Sequence, residues 1–346
     1  MSLLNITVAL LPVLLFVTGL QLMDSFKLVR RRAVLAAVIA GGGAALAGAV
    51  LHGWAQPASG LSPAAFSRYL APLTEETLKA AFLVVLIARR RIGFLVDAAV
   101  QGFAVGAGFA VVENVTYLSA LGDAPLMLWL IRGLGTAMLH GATTTIFGIV
   151  AKTLADRHPD RWWVAIGPSL LAAMVIHSAF NHVPLPPVAM TLLLMIALPL
   201  LVLAVFQRSE AATREWVVAG LDIDVELLNL VASDAFGYTR FGQYLKRLRE
   251  QFSGPIVMDM FCLLRMQLEL SVQAKAMLMA REAGLEVPVD DDLQAALDEL
   301  EYLRKSIGPT GLLALKPLQV SSHRDDWHRF LLTRARSRPA RRAASS

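Results

Sequence analysis

Residues 69–91 read YLAPLTEETLKAAFLVVLIARRR. The first part, Tyr69–Ala88, has the length of a bilayer-crossing helix, which needs about 20 mostly apolar residues. Glu75, Glu76 and Lys79 nevertheless sit inside it, and Arg89, Arg90 and Arg91 follow it at once. A basic cluster at one end is the mark of a cytoplasmic flank, and charges within the run mark a span that does more than anchor.

Six further apolar stretches flank this one: Leu4–Met23, Ala33–Trp54, Phe94–Leu118, Pro125–Ala151, Trp163–Val183 and Val188–Phe206. Basic residues fall in alternate loops. Lys27 and Arg30–Arg32 follow the first span; Lys152, Arg157 and Arg161 follow the fifth; Arg208 and Arg214 follow the seventh. The intervening loops hold Arg68, Asp123 and the uncharged run Val183–Pro187. The positive-inside rule then predicts an N-terminus outside and a cytosolic C-terminal part. The first run has no basic residues before it, so it reads as a first span and not as a cleaved leader.

The whole-chain figures agree. Of 346 residues, 56% are hydrophobic and only 17% charged, and the charges gather after residue 206. The predicted fold is therefore all-α: a polytopic membrane protein of about seven transmembrane helices with a C-terminal helical cytosolic domain. The expected divisions are 1–206 for the membrane domain, 207–333 for the helical domain and 334–346 for a basic, disordered tail. The single cysteine, Cys262, excludes an internal disulfide or a thiolate metal cluster. The net charge of +5 resides where a membrane protein carries it, so no nucleic-acid partner is expected.

Within the spans lie Glu75, Glu76, Lys79, Glu113, Asn114, Arg132, His140, His177 and Asn181. Each ionisable group at mid-bilayer costs roughly 2.5–3.5 kcal/mol on insertion scales, so the set must pair or line a wet cavity. Glu75 and Lys79, four apart, share a helix face and are expected to pair. Glu76 is turned about 100° away. His177 and Asn181 share one side of the sixth span. Counted inward from the outer surface, Glu75 lies roughly 9 Å deep at about 1.5 Å per residue, and Glu113 and His177 lie at a similar depth. His140 counts as deeper, unless its span effectively starts near Leu130. Gly41–Gly43, Gly48, Gly102, Gly106 and Gly108 read as close-packing positions.

These residues resemble the PrsW family of glutamic-type intramembrane proteases, relatives of the CAAX-protease and bacteriocin-processing membrane enzymes. Glu75-Glu76-Thr77-Leu78-Lys79 matches the first motif, Phe109-Ala110-Val111-Val112-Glu113 the second, His140 the isolated histidine and His177-Ser178-Ala179-Phe180-Asn181 the last. The likeness covers about residues 69–183. Relatives with a histidine in the second motif differ, since Glu113 stands there, which favours the PrsW branch over CAAX processing. The resemblance implies cleavage of a single-pass, anti-sigma-factor-like membrane protein in the cell membrane.

The catalytic expectation is Glu75, Glu76, Glu113, His140, His177 and Asn181, supported by Lys79, Asn114 and Phe109. A carboxylate drawn out of water is a stronger base, so Glu75 is assigned to water activation, with Glu113 or His140 assisting. His177 and Asn181 are assigned to the oxyanion. No cofactor is expected, and the alternative is zinc on Glu75, Glu76, Glu113, His140 and His177, although no His-Glu-x-x-His motif is present. The alternative function is a proton- or ion-coupled transporter built on the same cluster. Taken singly, Asn114, Asn181 and Lys79 read as helix glue, Arg132 as an interface anchor or counter-ion, and His52 and His182 as interfacial. The partners are a membrane-protein substrate and the bilayer; the sequence is silent on oligomeric state. Tail helices are expected near Asp222–Ser233, Arg240–Phe252, Pro255–Ala283 and Asp290–Ser306.

Overall fold

The computed structural model describes residues 2–24, 29–121, 123–285 and 292–318. Lys27, the start of the helix expected at Asp290, His323, His328 and the basic tail 334–346 lie outside the described residues. Among the described residues every regular element is helical.

Helix α1 (Leu3–Met23) is followed by α2 (Arg31–Ser59). The short α3 (Pro63–Ala65) runs through a wide π turn, Phe66–Leu70, into α4 (Ala71–Ala88). Next come α5 (Leu95–Leu121) and α6 (Leu126–Leu130), which passes through a second π turn, Ile131–Thr136, into α7 (Ala137–Arg157). A 3-10 segment leads to α8 (Ile166–Asn181), then α9 (Pro187–Ala232), α10 (Arg240–Leu248), α11 (Gly254–Glu282) and α12 (Asp292–Leu315). Among the described residues six helices are long and apolar enough to cross a membrane: α1, α2, α5, α6 with α7, α8 with its 3-10 lead, and α9. The remaining expected span is α4, the helix that carries Glu75, Glu76 and Lys79.

The chain separates into two compact units, Met1–Ala211 and Ala212 onward. In the first, α5 is central: every residue from Val96 to Ala110 is buried. Helices α1, α2, α4 and α7 pack round it. Small residues make this possible. A Cβ on Gly41 would overlap the Val105 carbonyl, and one on Gly108 the Val38 carbonyl, so α2 and α5 cross backbone to backbone. The outward faces are apolar. Leu35, Ile39, Leu46 and Val50 on α2 and Leu192, Leu193, Ile196 and Leu200 on α9 are exposed. Contiguous exposed apolar surface of this kind suits hydrocarbon, not water.

The second unit is a small helical assembly. Met260, Leu263, Leu278, Leu300 and Leu315 are fully buried in it. Lys275 pairs with Asp224 at 2.6 Å, and Ser271 also donates to Asp224. Thr239 caps α10 by accepting from Gly242 N at 3.1 Å. Charged Asp259, Arg265, Glu269 and Lys275 keep α11 out of the set of crossing helices. Two sequence expectations change. The stretch 222–233 is no separate helix but the continuation of α9, because 207–221 contains no proline and is rich in helix formers. Helix α12 passes Ser306 and bends at Gly308, whose φ of 69° is left-handed, and Pro309 starts the second segment.

Candidate active site

Five helices bring the polar residues of the membrane unit together. On α4, consecutive carboxylates diverge, as the 100° step requires. Glu76 Oε1 accepts from Lys79 Nζ at 2.5 Å, His177 Nδ1 at 2.7 Å and Thr143 Oγ1 at 3.1 Å. Both members of the Glu76–Lys79 pair are buried. The pairing expected between Glu75 and Lys79 is thus corrected: positions three and four apart are both within reach, and the donors from α7 and α8 make Glu76 the anion that Lys79 meets.

Glu75 turns the other way. Its Oε2 lies 3.8 Å from His177 Nε2, and its Oε1 lies 3.9 Å from His52 Nδ1. Oε2 is buried and accepts no hydrogen bond. A buried carboxylate oxygen without a donor is costly, so this atom is open to a ligand or to a proton.

His140 reaches the cluster from α7. Its Nδ1 is 3.2 Å from Lys79 Nζ, and its Nε2 is 3.0 Å from Glu113 Oε2. An ammonium only donates, so Nδ1 accepts and the ring hydrogen sits on Nε2, pointing to Glu113. Its ring stands edge-on to His177, centroids 5.1 Å apart, and 4.9 Å from the Phe109 ring. Two features bring His140 level with the others. The π turn before α7 advances less per residue than an α-turn. Gly106 then lets α5 and α7 touch, since a Cβ there would overlap the His140 carbonyl.

Glu113, with a side chain 24% exposed, is the most open of the three acids. Arg132 Nη2, from the second π turn, lies 3.2 Å from its Oε2. Arg132 Nε also donates to Asn114 Oδ1 at 3.0 Å, and its guanidinium lies 3.5 Å over the Tyr117 ring. Asn114 Nδ2 in turn donates to the Ala9 carbonyl at 2.8 Å, tying α5 to α1. Arg132 is therefore the counter-ion that the sequence suggested, and Asn114 is a tie between helices.

Asn181 is placed elsewhere. Its Nδ2 donates to the Ser67 carbonyl at 2.8 Å, and Ser178 Oγ donates to the Arg68 carbonyl at 2.6 Å. The wide turn at Phe66–Leu70 frees carbonyls, and α8 satisfies them. One N–H of the Asn181 amide thus clamps α8 to the turn before α4, and the second N–H is the group left for the oxyanion role expected of it. Three contributors were not foreseen in this role: His52, taken as interfacial; Thr143, an ordinary small polar residue in a span; and the two π turns. His182, also taken as interfacial, meets Tyr69 Oη at 3.2 Å outside the cluster.

Glu75, His140 and His177 each offer a ligand atom, and these atoms lie within 4.8 Å of one another. Two imidazoles and a carboxylate are a donor set of hydrolytic zinc centres, which keep a further position open. Bonds of about 2.0–2.2 Å ask for ligand atoms roughly 3–3.5 Å apart, so the 3.8 Å between Glu75 Oε2 and His177 Nε2 needs only a small closure. The residues fit a divalent metal provided that His140 exchanges one of its two partners, Lys79 at Nδ1 or Glu113 at Nε2, for the ion, and the donorless Oε2 is the atom that most calls for one.

A family model described as PrsW family intramembrane metalloprotease matches residues 26–206. The chain belongs to the PrsW family. Every residue of the PrsW cluster falls inside the matched stretch, from His52 to Asn181. No curated protein and no solved structure matches the chain. As a PrsW protein it is a membrane-embedded peptidase, which sets the transport reading of the same carboxylates and imidazoles behind hydrolysis.

Proposed function

We propose that this PrsW protein cuts a peptide bond of a membrane-protein substrate at a divalent metal held by Glu75, His140 and His177. The observation that carries the reading is the convergence of two imidazoles on the buried Glu75 carboxylate, whose Oε2 has no donor. A metal replaces the cofactor-free expectation as the first reading; the family's description as a metalloprotease points the same way. When bound, the ion acts as a Lewis acid toward the scissile carbonyl and makes water a nucleophile near neutral pH.

The chain's own groups do the rest. Glu76 fixes the His177 ring through Nδ1, which turns Nε2 toward Glu75. Lys79 and Thr143 hold Glu76 in turn. Glu113, the most open acid, takes the proton of the attacking water and returns it to the leaving amine. Arg132 holds the Glu113 carboxylate in place. Phe109 walls the site, with its ring centroid 5.0 Å from Lys79 Nζ. The substrate class is a single-pass, anti-sigma-factor-like protein. The setting is the cell membrane, with the N-terminus outside and residues 207–333 in the cytosol, as the basic loops indicate.

A second reading, in which Glu75 activates water without a metal, has one observation in its favour: Lys79 donates to His140 Nδ1, which leaves the hydrogen on Nε2. Elemental analysis of the purified protein separates the two. About one equivalent of metal, retained by wild type and lost in His177→Ala, with cleavage abolished by a chelator and restored by metal, is the expected result. Cleavage that survives complete removal of metal would leave the glutamate reading standing.

A further inference from the structure

His52 lies on α2, outside the motifs that carry the family resemblance, and its ring nonetheless approaches Glu75 Oε1, while His177 approaches Oε2. Glu75 is held between two imidazoles at nearly equal distances, His177 Nε2 at 3.8 Å from Oε2 and His52 Nδ1 at 3.9 Å from Oε1. The ring is fixed at its other edge. Nε2 lies 2.6 Å from Thr74 Oγ1, and the ring stands at 84° to Phe66 with centroids 5.2 Å apart. Its side chain is only 21% exposed, which is more enclosure than an interfacial residue needs.

The hydroxyl of Thr74 decides what His52 presents. Its contacts to the Ala71 and Leu70 carbonyls are 3.0 and 3.1 Å, longer than the 2.6 Å to Nε2. The 2.6 Å contact fits the hydroxyl giving its hydrogen to Nε2, or Nε2–H donating to a hydroxyl that gives its hydrogen to a carbonyl; we take the first arrangement. An imidazole that accepts at Nε2 carries its hydrogen on Nδ1, and Nδ1 faces Glu75 Oε1. Thr74, adjacent to Glu75 in the chain, thus sets the tautomer of the histidine that meets Glu75.

We infer that His52 is a positioning residue: with Thr74 behind it, it orients the Glu75 carboxylate so that Oε2 is presented to the metal. This rests on the metal reading of the proposed function. Partners of this kind fix the orientation and basicity of a metal ligand, and their loss weakens metal binding roughly 10–100-fold.

The test is a titration of Zn²⁺ against a competing chromophoric chelator, using the purified full chain in detergent. The variants are His52→Ala, His52→Asn and Thr74→Val, with thermal unfolding run beside each. His52→Ala is expected to raise the zinc Kd about 10–100-fold. His52→Asn is expected to recover most of that loss, because its amide nitrogen stands near the place of Nδ1 and presents an N–H toward Glu75. Thr74→Val keeps the shape of the side chain and removes only the hydroxyl; its Kd is expected to lie between wild type and His52→Ala. It carries the test by itself if His52→Ala does not fold. A folded His52→Ala, or Thr74→Val, with the wild-type Kd would overturn the inference while leaving the metal reading intact. A wild-type chain that binds no zinc would overturn both, a different result from the same titration.

Discussion

The Glu76–Lys79 pair offers the sharpest test of how the buried site is held. Both side chains are essentially out of solvent, and one oxygen of Glu76 serves three donors from three helices. Glu76→Gln keeps the shape and removes the charge, so the Lys79 ammonium is left without its anion. Removing one partner of a buried pair costs about 3–5 kcal/mol. For a unit of this size that is a fall in Tm of roughly 6–20 °C, at about 2–4 °C per kcal/mol. Lys79→Met removes one donor and leaves two, so its cost is smaller, about 1–3 kcal/mol. In the double variant no charge is stranded, and the Gln oxygen still accepts from His177 and Thr143. The double variant is therefore expected to be more stable than Glu76→Gln alone, with a coupling energy of at least about 1 kcal/mol between the positions. Thermal unfolding of all four proteins in one detergent, followed by circular dichroism, reads this directly. Strictly additive effects, or a Glu76→Gln protein that melts with wild type, would refute the reasoning.

Further outcomes follow from the same contacts. Gly106→Ala puts a methyl group into the His140 carbonyl and should cost about 1–3 kcal/mol as overpacking; cleavage should fall more than stability suggests, because α7 carries His140 away from Glu113. Asn181→Ala removes the donor to Ser67 and should lower Tm by several degrees, yet keep metal content at the wild-type level, unlike His177→Ala; metal analysis of the two checks this. Glu113→Gln should retain metal and lose at least about 100-fold in cleavage rate if it moves the proton, so equal loss of metal and rate would instead make it a ligand. Arg132→Lys, which cannot reproduce the planar contacts to Glu113, Asn114 and Tyr117, should lower the cleavage rate and restore less than half of what Arg132→Met removes.

Most of the helical architecture is legible in the chain because crossing a bilayer demands a long apolar run. Glu75, Glu113 and His177 count to one depth, and the structure brings them into one cluster. The parts that escaped share a physical reason: each depends on which neighbour arrives. Lys79 could pair at three or four residues' distance, and the choice of Glu76 is made by His177 and Thr143 from other helices. Asn181 sits on the same helical side as His177, but the π turn at Phe66–Leu70 frees carbonyls, one of which claims an N–H of its amide. Such turns leave no clear pattern in composition, and without the second one His140 counts as too deep. His52 sits near the end of an apolar run, where an imidazole ordinarily meets the interface, and only the approach of α4 with Thr74 draws it into the site.

The central claim is that Glu75 and the imidazoles round it cut a peptide bond inside the membrane. The most direct measurement compares membrane-protein fragments from cells carrying wild type or Glu75→Gln at matched expression, by terminal-peptide mass spectrometry. The expected result is at least one single-pass protein cut within its span by wild type alone. Identical fragments from both, under several stresses, would contradict the claim.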